Sequence, residues 1–358
     1  MLLFVIKRFG VMVLTALALT FVVFYLTNLP PNLEKLARTE GSVRMTDQAV
    51  ADWIVQNGHG GSVFGRYAEW LGVAPGWALT DEKGVLRGRC VTNQVQTATY
   101  CGVLQGNWGT STVFKKPVLD SVIEKLGQTA YLMAAVMLVM VPTSLLIGVM
   151  SGMREGSKTD RVLSFFSIAT TATPEYVSGV VLVAIFASAT TGLSPILAEW
   201  GWIDRKTLFL GTATSAQDNI TFWNFTLPVM TIATYGIGYI ARMTRASMAE
   251  VMTAQYIRTA RLKGATFRSV VLKHALRNAL IAPFTVIMLQ FPWLLNGVVI
   301  VETLFNYKGF GWTLVQAAGN NDIDLLLGCA VVAVFVVLVT QLISDIGYVF
   351  LNPRIRLA

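Results

Sequence analysis

Six apolar runs set the first constraint on this chain. They cover Phe9–Leu29, Gly127–Met150, Val162–Ser188, Phe225–Tyr239, Leu280–Val301 and Leu325–Phe350, most of them about twenty residues long. A helix of that length crosses roughly 30 Å of hydrocarbon. Lipid permits little else, because each backbone N–H and C=O there must be paired within the protein. The expected fold is all-α and integral to a membrane, with six transmembrane helices. Composition agrees: 54% of residues are hydrophobic and 13% charged, where soluble domains carry about 25% charge.

Between the runs, charge distribution orients the chain. The segments expected on the inner side hold fifteen Lys and Arg against three acids, Glu155, Asp160 and Glu250. The outer segments hold thirteen against fifteen, and ten of those thirteen lie in one long loop where the positive-inside rule loses force. Both termini are therefore expected in the cytoplasm. The first run follows Lys7-Arg8, ends at Pro30-Pro31 and is too long for a secretory signal core, so it reads as an uncleaved span. The net charge of +8 is accounted for by this topology. No basic-aromatic groove pattern points to nucleic acid.

Residues 30–125 break the apolar character with ten basic and nine acidic residues. Trp53, Trp70, Trp77 and Trp108 favour a small folded extracytoplasmic subdomain over disorder. Thr46 can cap a helix running to Gln56, with Val50, Trp53 and Ile54 on one face. Cys90 and Cys101 enclose ten residues; they could close a disulfide in an oxidising compartment or remain two buried thiols. The expected division is residues 1–29 as the first span, 30–125 as the cap, and 126–358 as a five-helix core.

Reaction chemistry finds little support. Two histidines and three cysteines form no metal-binding or redox spacing. Gly152–Thr159 lacks the Gly-Lys-Thr/Ser ending of a phosphate loop, so any ATP and Mg that drive this protein belong to another chain.

The most basic stretch, residues 246–282, reads as a short helix, a glycine turn and a second amphipathic helix. Gly264 suits the turn, and Thr266 can cap the second helix. On charge alone, an interfacial helix held by anionic membrane lipid remains an equal reading. The slots Arg258-Thr259-Ala260, Gly264 and His274-Ala275-Leu276 resemble the coupling loop of permeases in binding-protein-dependent ABC importers, in the form found in the dipeptide/oligopeptide branch. Arg66–Leu71 and Leu104–Ser111 resemble two further motifs of that family. Asn107 stands where the family has Asp, and an insertion, Gly72–Val103, separates the two motifs. Glu302 and Leu304–Gly311, Asp345, and the Asn352–Arg356 tail also match; Lys308 replaces a common proline.

The resemblance implies a type I ABC importer permease, one half of a translocation path, in a bacterial inner membrane with loop 30–125 periplasmic. It implies a second homologous permease, two ATPase subunits that bind ATP and Mg, and a periplasmic solute-binding protein; this chain itself performs no catalysis and needs no cofactor. Arg258, Thr259, Ala260, Arg261, Lys263, Gly264, His274 and Leu276 become the expected contacts to the ATPase within a coupling loop at 246–278. The branch carries oligopeptides, while relatives carry oligosaccharides, opines or nickel. An ion-coupled secondary transporter is the alternative class, with Glu175 as its one available site.

Pro283 and Pro292 are expected to break the fifth run. Pro174 and Glu175 fall near the middle of the third. An ionisable group there is costly unless it faces water or a partner. Glu175 could line the translocation path and meet a substrate amine, or pair with a group of the other permease. Glu302 and Asp345 read as gate and packing elements. Asp322-x-Asp324 resembles part of a calcium loop, but Leu326 at the next ligand slot makes a helix cap the better reading.

Overall fold

The computed structural model describes residues 2–80, 84–92 and 95–351. The Asn352–Arg356 motif lies outside them. In chain order, α1 is Leu2–Thr27, α2 Pro30–Glu40, α3 Asp47–Gln56 and α4 Val63–Leu71. Four short strands follow: β1 Ala78–Thr80, β2 Leu86–Gly88, β3 Val91–Thr92 and β4 Val95–Gln96. Then come α5 Val118–Gly152, α6 Lys158–Ala172, α7 Glu175–Phe186, α8 Leu193–Glu199 and α9 Phe222–Met252. The C-terminal part holds α10 Gln255–Leu262, α11 Phe267–Ser269, a π-helical turn Val270–Ala275, α12 Leu276–Ala279, α13 Ile281–Leu304, α14 Phe310–Gly319 and α15 Ile323–Leu351.

Among the described residues, three helices are long and apolar enough to cross a membrane: Ile6–Thr27 of α1, Val118–Gly152, and Ile323–Gly347 of α15. Two further pairs satisfy the same criterion only when joined across a bend, α6 with α7 at 110° and Phe267–Ala279 with Ile281–Gln290 at 49°. The protein is a multi-pass membrane protein. The fourth expected run lies in α9, which the criterion misses for a physical reason: Thr, Gly and Pro are frequent in it because it is a packing helix. Fifteen of its residues are buried, Thr231, Gly236, Gly238 and Thr244 among them.

Two expectations about the spans need correction. The third run is not one helix with a residue at its middle. Thr173 and Pro174 are extended, and Glu175 opens a new helix. Proline cannot donate its missing N–H and pushes the preceding residue out of helical backbone space, so the ladder stops there. The fifth run is not broken at its prolines. α13 runs through positions 283 and 292, and the bend lies before Ile281. Pro283 falls in the first turn, where an N–H would have no intrahelical acceptor.

The helices assemble into two compact units, one centred on Leu126–Trp312, the other on Val5–Lys125 with Thr313–Phe335. In the first, Leu132, Val136, Met140, Ile232, Leu294 and Phe305 form the heart of the core. In the second, Phe24, Leu33, Leu36, Trp70, Ile323 and Leu327 do so, with Trp53 and Tyr67 packed around them. Tyr67 and Trp70 stack at 5.8 Å, and the Tyr67 hydroxyl donates to the Leu17 carbonyl at 3.0 Å. Thr46 caps α3 as its sequence position predicts, accepting from the Ala49 N–H. The insertion departs from an all-helical plan: β1 pairs with β2 and β3 with β4 in two antiparallel ribbons. Cys90 and Cys101 are joined by a disulfide within it, Cα atoms 5.7 Å apart.

His59 stacks on Trp53 in this second unit. Burial, then the positive charges of Arg66 and Arg89, push its pKa down from 6.5 to about 4. The folded imidazole stays neutral where the unfolded one takes up a proton. Stability is therefore expected to be full above pH 6.5 and to fall as pH drops from 6.5 toward 4. Thermal midpoints across this range check it; His59→Gln should flatten the slope in that window.

Candidate functional site

The basic stretch singled out in the sequence forms a compact angular element beyond α9. α10 ends at Leu262 with Lys263 as its C-cap, and the Gly264 and Ala265 N–H groups return to the Arg261 and Ala260 carbonyls at 3.0 and 3.1 Å. That is the Schellman arrangement, which needs a left-handed residue. Gly264 supplies it with φ of +80°, and a Cβ there would meet no atom within 4 Å. Its glycine is thus required for backbone conformation, and no neighbour within this chain demands it. Thr266 caps the next helix, its hydroxyl accepting from the Ser269 N–H.

Helical spacing divides α10 into two faces. Ile257 and Ala260, three residues apart, are 0% and 9% exposed and pack with Met248, Val270, Val271, Ala275 and Ala279. Ala260, one of the expected ATPase contacts, is thus packed into the element's own core. Arg258, Thr259, Arg261, Lys263, Gly264 and His274 are exposed, and Leu276 is half-buried. Two residues the sequence reading passed over join the outer face, Leu262 at 81% exposed and Leu272 at 63%. A leucine beside arginines on a solvated loop is the signal that could have found them.

Hydrogen bonds brace the element, tie it to α9 and fix the helices behind it. Asn278 Nδ2 donates to the Tyr256 hydroxyl at 2.9 Å, tying α12 to α10. Ser247 Oγ donates to the Ala279 carbonyl at 2.8 Å, tying α9 to α12. The strongest is farther back. Asp160, 2% exposed, accepts from Arg245 Nε at 2.6 Å and Nη2 at 2.8 Å, a two-pronged pair. It also accepts from Ser151 Oγ, the Gly156 N–H and Ser164 Oγ. One carboxylate thus joins the end of α5, the turn after it, α6 and α9, seven residues before α9 ends. Sequence reasoning counted both charges only toward topology.

Pro174 and Glu175 lie elsewhere in the same unit. Pro174 is exposed, and Glu175, 9% exposed, begins α7. Glu302 is fully buried and accepts from Thr129 Oγ1 and, at 2.9 Å, from the Trp312 N–H. Thr129 Oγ1 accepts in turn from the Phe310 N–H at 2.8 Å. The Glu302 region is therefore a packed polar node that orders the turn into α14, and Asp345 also has a partner. In the other unit, Asp322 caps α15 through the Leu325 N–H and accepts from Ser111 Oγ at 2.6 Å. Among the described residues no three His, Cys, Asp or Glu gather as a metal site.

Residues 144–357 match the family described as the binding-protein-dependent transport system inner membrane component. The di/tripeptide transport system permease protein DppB of Pseudomonas aeruginosa is 30% identical, with 99% of each chain covered. The oligopeptide transport system permease protein AppB of Bacillus subtilis is 32% identical over 71% of this chain and 77% of its own. A crystal structure of an amino acid ABC transporter with histidines aligns with a TM-score of 0.46 at 16% identity, covering 64% of this chain and 94% of that one.

Arg245→Gln leaves the buried Asp160 carboxylate without its countercharge, a loss of about 3–5 kcal/mol, and should lower the thermal midpoint of the purified protein strongly. Asp160→Asn should lower it less, because Arg245 is 30% exposed and also meets Glu155 at 3.6 Å. The double variant should lose less than the sum. Additive losses would show that the two side chains do not act as a unit. Gly264→Ala should cost about 1–2 kcal/mol from left-handed strain, measured the same way.

Proposed function

The chain belongs to the family of inner membrane components of binding-protein-dependent transport systems, and from that premise we propose that it is the permease subunit of an ABC importer for oligopeptides. The matched region contains the exposed basic element at 255–278, and that coincidence carries the reading. Two relatives carry names of di/tripeptide and oligopeptide permeases, which supports peptides over oligosaccharides or nickel.

In this reading the permease pairs with a second, homologous permease to enclose the path. Two ATPases carrying ATP and Mg dock from the cytoplasm, and a solute-binding protein delivers cargo to the periplasmic face. Both termini lie in the cytoplasm, and residues 30–125 are periplasmic, where the Cys90–Cys101 disulfide is chemically at home. The path is completed with the six-span topology, α9 included.

Coupling is a matter of shape and stiffness. The outward residues Arg258, Thr259, Arg261, Leu262, Lys263 and His274 face the ATPase, the arginines toward an acidic rim and Leu262 into an apolar slot. Movement at that surface reaches α9 directly through the Ser247–Ala279 hydrogen bond, and α5 and α6 through Asp160. The chain contributes no covalent chemistry; ATP hydrolysis occurs in its partners.

Purification of the tagged protein from its native membrane in mild detergent should bring a second permease and ATPases with phosphate-loop motifs. Recovery alone as a homo-oligomer would overturn the importer reading. Leu262→Asp, whose side chain touches little of its own protein, should leave insertion and thermal stability unaltered. It should reduce binding-protein-stimulated ATP hydrolysis about tenfold or more, as expected for a central interface contact.

A further inference from the structure

Among the described residues, three carboxylates are buried in the unit centred on Leu126–Trp312: Asp160, Glu175 and Glu302, exposed by 2%, 9% and 0%. Asp160 is answered by Arg245 and by serine and backbone donors. Glu302 is answered by Thr129 and the Trp312 N–H. Glu175 differs. Its Oε1 is buried with no hydrogen-bond donor among the described residues. A buried acceptor left open costs on the order of 1–3 kcal/mol, and more when charged. Native proteins rarely keep one without a use for it.

The helix end offers Glu175 only partial support. Glu175 occupies the first turn of a twelve-residue helix whose N-cap, Pro174, offers no side-chain acceptor. The free amides of that turn and the helix dipole stabilise an anion there. They do not supply the countercharge that a carboxylate away from water requires. The group also lies just beneath the surface: Ala172, Pro174 and Tyr176 around it are exposed.

The surroundings differ in rigidity. At Gly179, one turn further on, a Cβ would lie 2.5 Å from Leu304 Cδ2 and 3.0 Å from Thr231 Cγ2, so α7 is pressed tightly onto α13 and α9. Before Glu175 comes the 110° break between α6 and α7. The carboxylate therefore sits between a clamped helix and the one place in this segment where the backbone ladder is interrupted.

We infer that Glu175 accepts a cationic group, an ammonium or guanidinium, from outside this chain. The transported solute is the source that fits an importer of peptides, which carry an N-terminal ammonium and often lysine or arginine. A cationic side chain of the adjoining permease shares the same chemistry. The solute source rests on the importer reading above; the requirement for a cation does not. A divalent metal does not fit, since among the described residues no three acidic, histidine or cysteine side chains gather as a metal site.

The test uses the complete importer in proteoliposomes, supplied with saturating binding protein preloaded with Ala-Lys-Ala or Ala-Gln-Ala. Loading cancels the selectivity of the binding protein, so the maximal rates report the membrane subunits. With the solute as source, Glu175→Gln lowers the ratio of lysine-peptide to glutamine-peptide rates by about tenfold, the loss of one charge-assisted hydrogen bond. Glu175→Asp restores part of that ratio. With the neighbouring permease as source, both rates fall together in the Gln variant, and the two permeases separate earlier on size exclusion. An unchanged ratio with unchanged rates and association overturns the proposal. Failure of the unaltered importer to move either peptide sinks the importer reading instead, and the association measurement still decides on a neighbouring cation.

Discussion

A carboxylate taken out of water must be met by donors already in place, and Asp160 is where the helical core meets that demand. Arg245 grips it with two nitrogens, while Ser151, Ser164 and the Gly156 N–H occupy what remains of its oxygens. Those donors come from the end of α5, the following turn, α6 and α9. None of these segments can shift much alone without stranding the charge. The network makes them one mechanical body. The angular basic element is bonded directly to α9, so its position is set by the same body.

How much of this was legible in the sequence depends on the range of the interaction. Features decided within four residues read correctly: Thr46 and Thr266 as caps and Gly264 at a left-handed turn. Each rests on one side chain and its nearest backbone. The Asp160–Arg245 pair spans 85 positions and left no local trace beyond two charges. The π-helical turn at Val270–Ala275 had none either, since its residues differ little from those of an ordinary amphipathic helix. Proline was the hardest residue to weigh. Pro174 ends one helix and precedes another, whereas Pro283 sits harmlessly in a first turn. The difference lies in position relative to a helix start, which the apolar pattern alone does not mark.

Mean hydropathy scores α9 lower than the other spans for a more general reason. It measures preference for lipid, but α9 is surrounded chiefly by protein. Helices buried among other helices need small side chains for close approach, and hydroxyls can bond back to their own carbonyls, as Thr231, Thr234 and Thr244 do. Both features lower hydropathy while raising packing quality. A low-scoring run flanked by clearly apolar ones is thus better evidence of a central helix than of a loop.

The same distinction between neighbours and solvent sorts the outer element. In α10 the apolar Ile257 and small Ala260 face inward, and the charged residues face out. Leu262 breaks the rule, standing almost fully exposed between Arg261 and Lys263. A scattered exposed leucine is ordinary on a protein surface. This one caps a helix that a Schellman turn, a tyrosine–asparagine bond and a buried core hold rigidly. Rigidity removes much of the entropic cost of ordering on contact, so a single apolar side chain flanked by cations contributes more here than on a mobile loop. The element's architecture holds that side chain in a fixed place.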